Sequence, residues 1–221
     1  MKNLFYFLLI FAFVSCNGNS ETKTAESSNV EQNSETLENT ANQTNQETNT
    51  TELKPVEDIR AEYQSIMSKI AAKKMDSTSF NYECDGGGGQ VAYFSENGQL
   101  RRITYGSGYE HGGVIKEFFL KDNTPFFIFH DASTWIFDGE INGESQTKDD
   151  MIENRFYIVD KKLIKCLEKK FTIRSSIKNN PTSATVANKE IPCSDLTELM
   201  KDYELVLKYK NQKTDMECLE Q

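Results

Sequence analysis

The sequence has few of the residues on which most catalytic and nucleic-acid-binding sites depend. Its 221 residues include only two histidines, and acidic residues outnumber basic ones by 34 to 25. It contains no CxxC pair for zinc, no GxSxG nucleophile motif and no run of basic residues for a phosphate backbone. We therefore expect no nucleic-acid partner, no metal and no cofactor.

The residues that could support chemistry are isolated from one another. His111 lies in a glycine-rich loop and His130 closes a predicted strand, and no nucleophile motif accompanies either. Residues 85–89 resemble a phosphate-cradling loop but lack its Lys-Ser/Thr ending and the following helix. Residues 138–149 have the oxygen spacing of a calcium loop without its flanking helices. We predict that the protein is not an enzyme; a hydrolase that uses either histidine is the least favoured alternative.

An apolar run long enough to cross a bilayer is also missing. Residues 4–14 form an uncharged apolar run that is short of the roughly 20 residues a span needs, but it fits the apolar core of a signal peptide. The run ends at Ser15-Cys16, which resembles the lipobox of bacterial lipoproteins. This predicts a signal peptide over residues 1–15 and lipid attachment at Cys16, with an ordinary secretory signal as the alternative.

The composition after Cys16 predicts a tether on the outer membrane. Residues 16–54 consist mainly of Asn, Gln, Ser, Thr and Glu and contain no aromatic residue. Such a segment cannot bury enough apolar area to offset its ordering entropy, so we expect it to be disordered. Several acyl chains on one cysteine would hold it durably on the membrane. Asn17 after the cysteine favours an outer-membrane lipoprotein, facing either the periplasm or the surface.

Residues 55–221 have the length and composition of a single folded domain with a helix at each end. Apolar residues spaced three and four apart predict one helix from Pro55 to about Lys74. A second helix is predicted from an N-cap at Ser194 to about Tyr209, with acidic residues in its first turn.

Between these helices, strand and turn signals repeat. Three segments align as strand, turn and strand, beginning at Tyr93, Phe118 and Phe156. The first contains Asn97-Gly98, the strongest hairpin signal, because both central residues of a type I′ turn need positive φ. Further strands are predicted at residues 80–84 and 133–138. The fold class is therefore α+β: an antiparallel β-meander of about eight strands with an N-terminal and a C-terminal helix.

The repeated hairpin, with its aromatic pair, acidic or Asn-Gly turn and following Leu, resembles the hairpin repeats of MORN-type modules and of envelope lipoproteins of the Bacteroidota. The resemblance covers roughly residues 79–170. Pro125 in place of Leu100 and the long insert over residues 130–153 depart from a regular repeat. The resemblance implies binding or scaffolding and does not imply catalysis.

Aromatic side chains occur on both faces of the predicted sheet, and two helices suffice to cover only one face of a sheet this wide. Either the sheet curls over itself, or part of the second face stays open and binds a partner. The candidates for an open binding face are Phe94, Phe119, Tyr157 and Trp135.

Four cysteines remain after Cys16, and an even number in an oxidising compartment predicts two disulfides. The four are Cys84, Cys166, Cys193 and Cys218. Three pairings are possible. We favour Cys84 with Cys166 across the sheet, and Cys193 with Cys218 around the C-terminal helix.

These features together predict a membrane-anchored lipoprotein that acts as a non-catalytic binding or scaffolding module in the bacterial cell envelope. Its expected partners are the membrane, through the N-terminal lipid, and an envelope protein. The alternative function is a carrier of lipid or another hydrophobic ligand, held in a pocket beneath the helices.

Overall fold

The computed structural model describes residues 53–193 and 195–219 of the chain. Cys16, the predicted signal peptide and almost all of the predicted tether lie outside the described residues, as does Ser194. Neither described helix is long and apolar enough to cross a membrane.

Two helices flank a sheet that is antiparallel except at one short edge strand, which confirms the predicted α+β class. Helix α1 spans Leu53–Ala71 and helix α2 spans Leu196–Lys208. The long strands between them are β1 Asp76–Cys84, β2 Gly87–Glu96, β3 Gln99–Tyr109, β4 Gly112–Lys121, β5 Thr124–Ile141, β6 Glu144–Val159 and β7 Lys162–Arg174. Two strands of two residues complete the sheet: β8 Lys189–Glu190 before α2, and β9 Met216–Glu217 after it. The count is therefore nine strands, against about eight predicted.

Local sequence explains the tight turns between the long strands. Both central residues have positive φ, from 49° to 81°, in four two-residue turns: Asn97-Gly98, Asp122-Asn123, Asn142-Gly143 and Asp160-Lys161. Two such residues in succession define the type I′ turn, whose twist matches that of the flanking strands. The segment with calcium-loop spacing is consequently the hairpin between β5 and β6.

The helix ends differ slightly from the predicted ones. Helix α2 is capped by Asp195, whose carboxylate accepts a hydrogen bond from the backbone N–H of Thr197 at 2.9 Å. This satisfies one of the N–H groups left open at a helix start. Helix α1 begins at Leu53, inside the segment predicted to be tether, and it ends at Ala71.

The sheet is a plain meander with a short strand at each edge. Its order is β8-β7-β6-β5-β4-β3-β2-β1-β9, in which only the β1–β9 pair is parallel. Each long strand therefore pairs with its neighbours in sequence. At one edge the carboxylate of Asp215, just before β9, accepts the backbone N–H of Asn81 at 2.8 Å. Such cover leaves less of an outer strand free for unwanted pairing.

The two helices lie on opposite faces of the sheet, so the expectation that both would cover one face was wrong. Phe118 and Phe119 point to opposite faces because side chains alternate along a strand. The ring centroid of Phe118 lies 5.6 Å from that of Tyr203 in α2. The ring centroid of Phe119 lies 4.8 Å from that of Tyr63 in α1. Both phenylalanines are fully buried. Each face thus has its own apolar core, one beneath α1 and one beneath α2.

The disulfides differ from the favoured pairing. Cys84 at the end of β1 is bonded to Cys218, and Cys166 in β7 is bonded to Cys193. The favoured pairing was wrong because β1 and β7 lie on opposite sides of the meander, with five strands between them. Instead, each disulfide ties an outer strand to the chain just after the two-residue strand that borders it.

Candidate interaction surface

Helix α1 covers only part of its face of the sheet. Beneath it lies an aromatic row formed by Phe119, Phe127 and Tyr157, whose neighbouring ring centroids are 5.7 and 5.1 Å apart. Tyr63 packs on this row from the helix. All three sheet residues are buried, so this part of the face is closed.

The next rows along the same face carry charged side chains in close pairs. Arg102 on β3 pairs with Glu117 on β4 at 2.5 Å, and Arg155 pairs with Glu153 at 2.7 Å within β6. The segment after β7 closes over this charged region, since Ser183 donates a hydrogen bond to Glu153 at 2.8 Å and accepts one from Lys169 through its backbone carbonyl. Burial acts to raise the pKa of Glu153, but the bonds from Ser183 and Arg155 outweigh it and hold that pKa below its usual value.

Asp131 belongs to the same charged rows but is poorly compensated. It stands opposite Glu153 on β6 and Ile115 on β4. Burial, followed by the negative charges of Glu153 and Glu117, raises the pKa of Asp131, and Arg155 only partly opposes this. Its Oδ1 atom is buried and has no hydrogen-bond partner among the described residues. The carboxyl therefore stands in a region of negative potential at the border of the covered surface.

Strands β5 and β6 extend beyond their neighbours as a two-stranded arm, which we define as residues 136–146. Pairing of β4 with β5 stops at Thr134, and pairing of β6 with β7 begins at Lys148. The base is held by backbone bonds from Trp135 N–H to His111 and from Ser175 N–H to Thr147. Asp138 and Gln146 of the arm also bond to the side chains of Arg174 and Ser175, but no third strand or helix packs on the arm in the described structure.

The part of the α1-side face that α1 leaves bare, together with the arm, forms an apolar surface that we call the distal face. It consists of Ile115, Trp135, Phe137, Met151, Phe171 and Ile173. Register places these residues on one face, because Met151 pairs with Ser133 and Phe171, and Asp149 pairs with Trp135 and Ile173. Phe137 is 61% exposed and Ile115 45%, and the other four are half-buried.

Glycines make the sheet beside the distal face thin. Gly88, Gly108 and Gly113 lie in one row across β2, β3 and β4, next to Ser133. A Cβ atom on Gly113 would lie 3.0 Å from the carbonyl oxygen of Ser107, so a larger side chain there would crowd the backbone. The row carries almost no side-chain bulk, which lets a partner approach the sheet backbone closely.

The four residues predicted to form an open binding face have different environments. Phe119 and Tyr157 are buried beneath α1 and cannot contact a partner in this structure, so for these two residues the prediction was wrong. Phe94 is half-buried, with the guanidinium of Arg102 5.2 Å from its ring centroid. Only Trp135 lies on the distal face.

Sequence reasoning missed most of the distal face, although the alternation that builds it is visible. The strand predicted at residues 133–138 includes Trp135 and Phe137, which have the same parity as Phe127 and therefore share its face. That this strand extends past β4 depends on where the β3–β4 turn falls. This turn, at Glu110-His111, has no strong sequence signal.

The histidines are separated by the fold. His111 is exposed in the β3–β4 turn, with its ring centroid 4.7 Å from that of Trp135. His130 lines a cleft of about 520 Å³ beside α2, together with the ion pair between Lys116 and Asp202. Burial, followed by the charge of Lys116, lowers the pKa of His130. In the described part of the chain, neither histidine bonds to a serine or cysteine, and no three metal-ligating side chains converge.

A second cleft, of about 400 Å³, lies between α1 and the charged rows. Its polar lining includes Arg60, Gln64, Glu117 and Arg155. Glu117 and Arg155 are already engaged in ion pairs, and Arg60 lies 5.9 Å from the ring centroid of Tyr157. The cleft therefore borders the charged rows, and none of the six distal-face residues lines it.

Comparison with protein-family models, with curated proteins and with solved structures finds no match to this chain, so the case for a function rests on the geometry of the distal face.

Proposed function

We propose that this protein is a non-catalytic binding module of the bacterial cell envelope that docks a protein partner through its distal face. The observation that carries the proposal is the exposure of Phe137, at 61%, on an arm that extends beyond the rest of the sheet. Contiguous exposed apolar surface is unfavourable in water and, in folded proteins, commonly marks an interaction site.

The arm itself would benefit from a partner. An isolated two-stranded ribbon is at best marginally stable in water, and it needs a third strand or a packed surface to gain stability. A partner that covers Phe137 and Trp135 would supply that surface. The rest of the distal face lies on the multi-stranded sheet beside the arm.

The proposed location rests on the first residues of the chain. A lipid on Cys16, followed by the polar segment that the sequence predicts to be a tether, would hold the folded part near the membrane. A membrane-held partner would then meet the distal face at a high local concentration. This supports an envelope protein as the partner.

Packing favours this function over the alternative of a lipid carrier. The sheet side chains beneath both helices are buried and in mutual contact, as the pairs Phe118–Tyr203 and Phe119–Tyr63 illustrate. A lipid chain could occupy the space beneath either helix only by displacing these side chains. The distal face requires no such rearrangement.

Site-specific cross-linking tests the proposal. A photo-reactive phenylalanine analogue at position 137 of the full chain should cross-link to one defined envelope protein in living cells. Ile164 is the matched control site. It is an apolar residue that is 43% exposed, and it lies at the start of β7, whereas the distal-face residue Ile173 lies at the end of that strand. Phe137→Ser should abolish association with that protein, whereas Ile164→Ser should leave it intact. Equal cross-linking from the two sites would refute docking through the distal face.

A further inference from the structure

The distal face carries negative charge within its apolar surface. Asp149 lies on this face, directly opposite Trp135 on β5 and Ile173 on β7. Side chains opposed in this way have Cβ atoms about 4.5–5.5 Å apart. In the described structure the carboxylate of Asp149 has neither an ion pair nor a hydrogen bond, although Asp150 beside it is bonded to Lys148 and Thr172. The carboxylate of Asp149 therefore lies between an indole and an aliphatic side chain without a cation.

The surroundings of Asp149 add further negative charge. Glu140 and Glu144 lie exposed at the end of the arm, and Glu110 lies in the turn next to Trp135. The cations nearest in sequence are occupied elsewhere, since Lys148 pairs with Asp150 and Arg174 pairs with Asp138. The distal face thus combines apolar side chains with the unpaired carboxylate of Asp149, and further acidic side chains lie around it.

This combination distinguishes among the three possible occupants. A second copy of the chain in a symmetric contact would bring two identical acidic surfaces together, which like-charge repulsion opposes. Insertion of the arm into a membrane would first desolvate Glu140 and Glu144 at its end, and this is costly. A basic protein segment would place cations against these carboxylates and apolar groups against Phe137 and Ile115.

We propose that Trp135 and Asp149 form a subsite for an arginine side chain of the partner. The guanidinium would stack on the indole and donate hydrogen bonds to the carboxylate. Arginine suits this pair better than lysine, because its planar guanidinium stacks on aromatic rings and binds carboxylates through two donors. This inference rests on the proposed docking function and names the chemistry that the distal face recognises.

Fluorescence of the full chain tests the subsite directly. Trp135 is the only tryptophan of the chain, so its emission reports on this site alone. Titration with an acetylated and amidated tetra-arginine peptide should change the emission saturably. The corresponding citrulline peptide, which has nearly the same shape but no charge, should bind more weakly by about three- to tenfold.

Substitutions provide the matched comparison. Asp149→Asn should weaken binding of the arginine peptide by about three- to tenfold and should remove the preference over citrulline. Asp160→Asn is the control, because Asp160 is an exposed carboxylate in the turn at the other end of β6. Circular dichroism should show both variants folded like the parent chain.

Three results would refute the arginine subsite: no response of the emission to the arginine peptide, equal binding of the arginine and citrulline peptides, or the same behaviour of Asp149→Asn and Asp160→Asn. A shift of emission on neutral phosphatidylcholine vesicles without a response to the peptide would indicate a membrane occupant. Dimerisation in sedimentation, with no response to the peptide, would indicate a second copy.

The cross-linking experiment separates failure of the subsite from failure of the docking function. If position 137 cross-links to a protein whose binding is insensitive to Asp149→Asn, docking stands and the arginine subsite is refuted. If position 137 cross-links no better than position 164, the docking function is refuted, regardless of the result of the peptide titration.

Discussion

Removing the two disulfides separately should destabilise the protein to different extents. Cys84–Cys218 spans 134 residues of sequence, and Cys166–Cys193 spans 27. In the chain-entropy model, a cross-link limits the unfolded chain more when its loop is longer, which gives about 5 kcal/mol for the first bond and about 3.5 kcal/mol for the second. We expect Cys84→Ser/Cys218→Ser to lower the free energy of unfolding by roughly 1.5 kcal/mol more than Cys166→Ser/Cys193→Ser does.

Loss of contacts in the folded state should further destabilise the variant that lacks the Cys84–Cys218 disulfide. Cys218 directly follows β9, whose pairing with Tyr82 and Glu83 covers the edge of β1. Without the disulfide, this two-residue strand is held by its backbone bonds, by the Asp215 contact to Asn81 and by the packing of Met216 and Leu219 on the core. Local opening of this edge should raise amide hydrogen exchange around Tyr82, and this is a second readout.

Urea unfolding followed by far-ultraviolet circular dichroism gives the comparison, and the parent chain and both double variants are measured together. A larger loss in Cys166→Ser/Cys193→Ser would refute the loop-length reasoning. The pairing itself is tested by mass spectrometry of an unreduced digest. A peptide that joins Cys84 to Cys166 would refute the pairing on which the calculation depends.

Three further predictions concern the sheet. Phe119→Ala should lower the free energy of unfolding, measured in urea, by about 3–5 kcal/mol, because Phe119 is fully buried against Tyr63 and Phe127. A loss no larger than that of Ile164→Ala would contradict the packing beneath α1. Gly89→Ala should lower the free energy of unfolding by more than about 1 kcal/mol, since its Cβ would lie 1.8 Å from the carbonyl oxygen of Gly106. Gly106→Ala is the control, because a Cβ atom there would meet nothing closer than 3.8 Å. The raised pKa of Asp131 makes its contribution to stability fall as pH rises from its ordinary value of 3.8 through the folded value. Asp131→Asn should therefore gain stability relative to the parent chain with rising pH, and parallel pH profiles in urea unfolding would show that Asp131 does not titrate abnormally.

The parts of the fold that depend on neighbouring residues were predictable. Asn97-Gly98, Asp122-Asn123 and Asp160-Lys161 form their turns because these residue pairs tolerate positive φ, which is a local property. The parity of aromatic residues was also readable, since Phe118 and Phe119 point to opposite faces wherever the strand lies. The α+β class with a terminal helix at each end followed from these local signals.

The candidate site was predicted only in part, because it depends on register between strands. Trp135 was recognised as a binding candidate, but Phe119 and Tyr157 were assigned to the same open face. They are on that face, as their parity requires, but α1 packs over them and not over Trp135. Helix α1 reaches only part of the face, and no local pattern in the sequence states which part.

The sequence alone determined that the middle of the chain forms β-hairpins, where three of their turns fall and which side chains share a face, because backbone preferences and alternation act within a few residues. Only the tertiary structure decided that α1 and α2 occupy opposite faces, that Cys84 meets Cys218, and that β5 and β6 extend past their neighbours. These features follow from contacts between residues far apart in the chain, where packing selects one arrangement among several that local preferences permit equally. The distal face exists because of that selection.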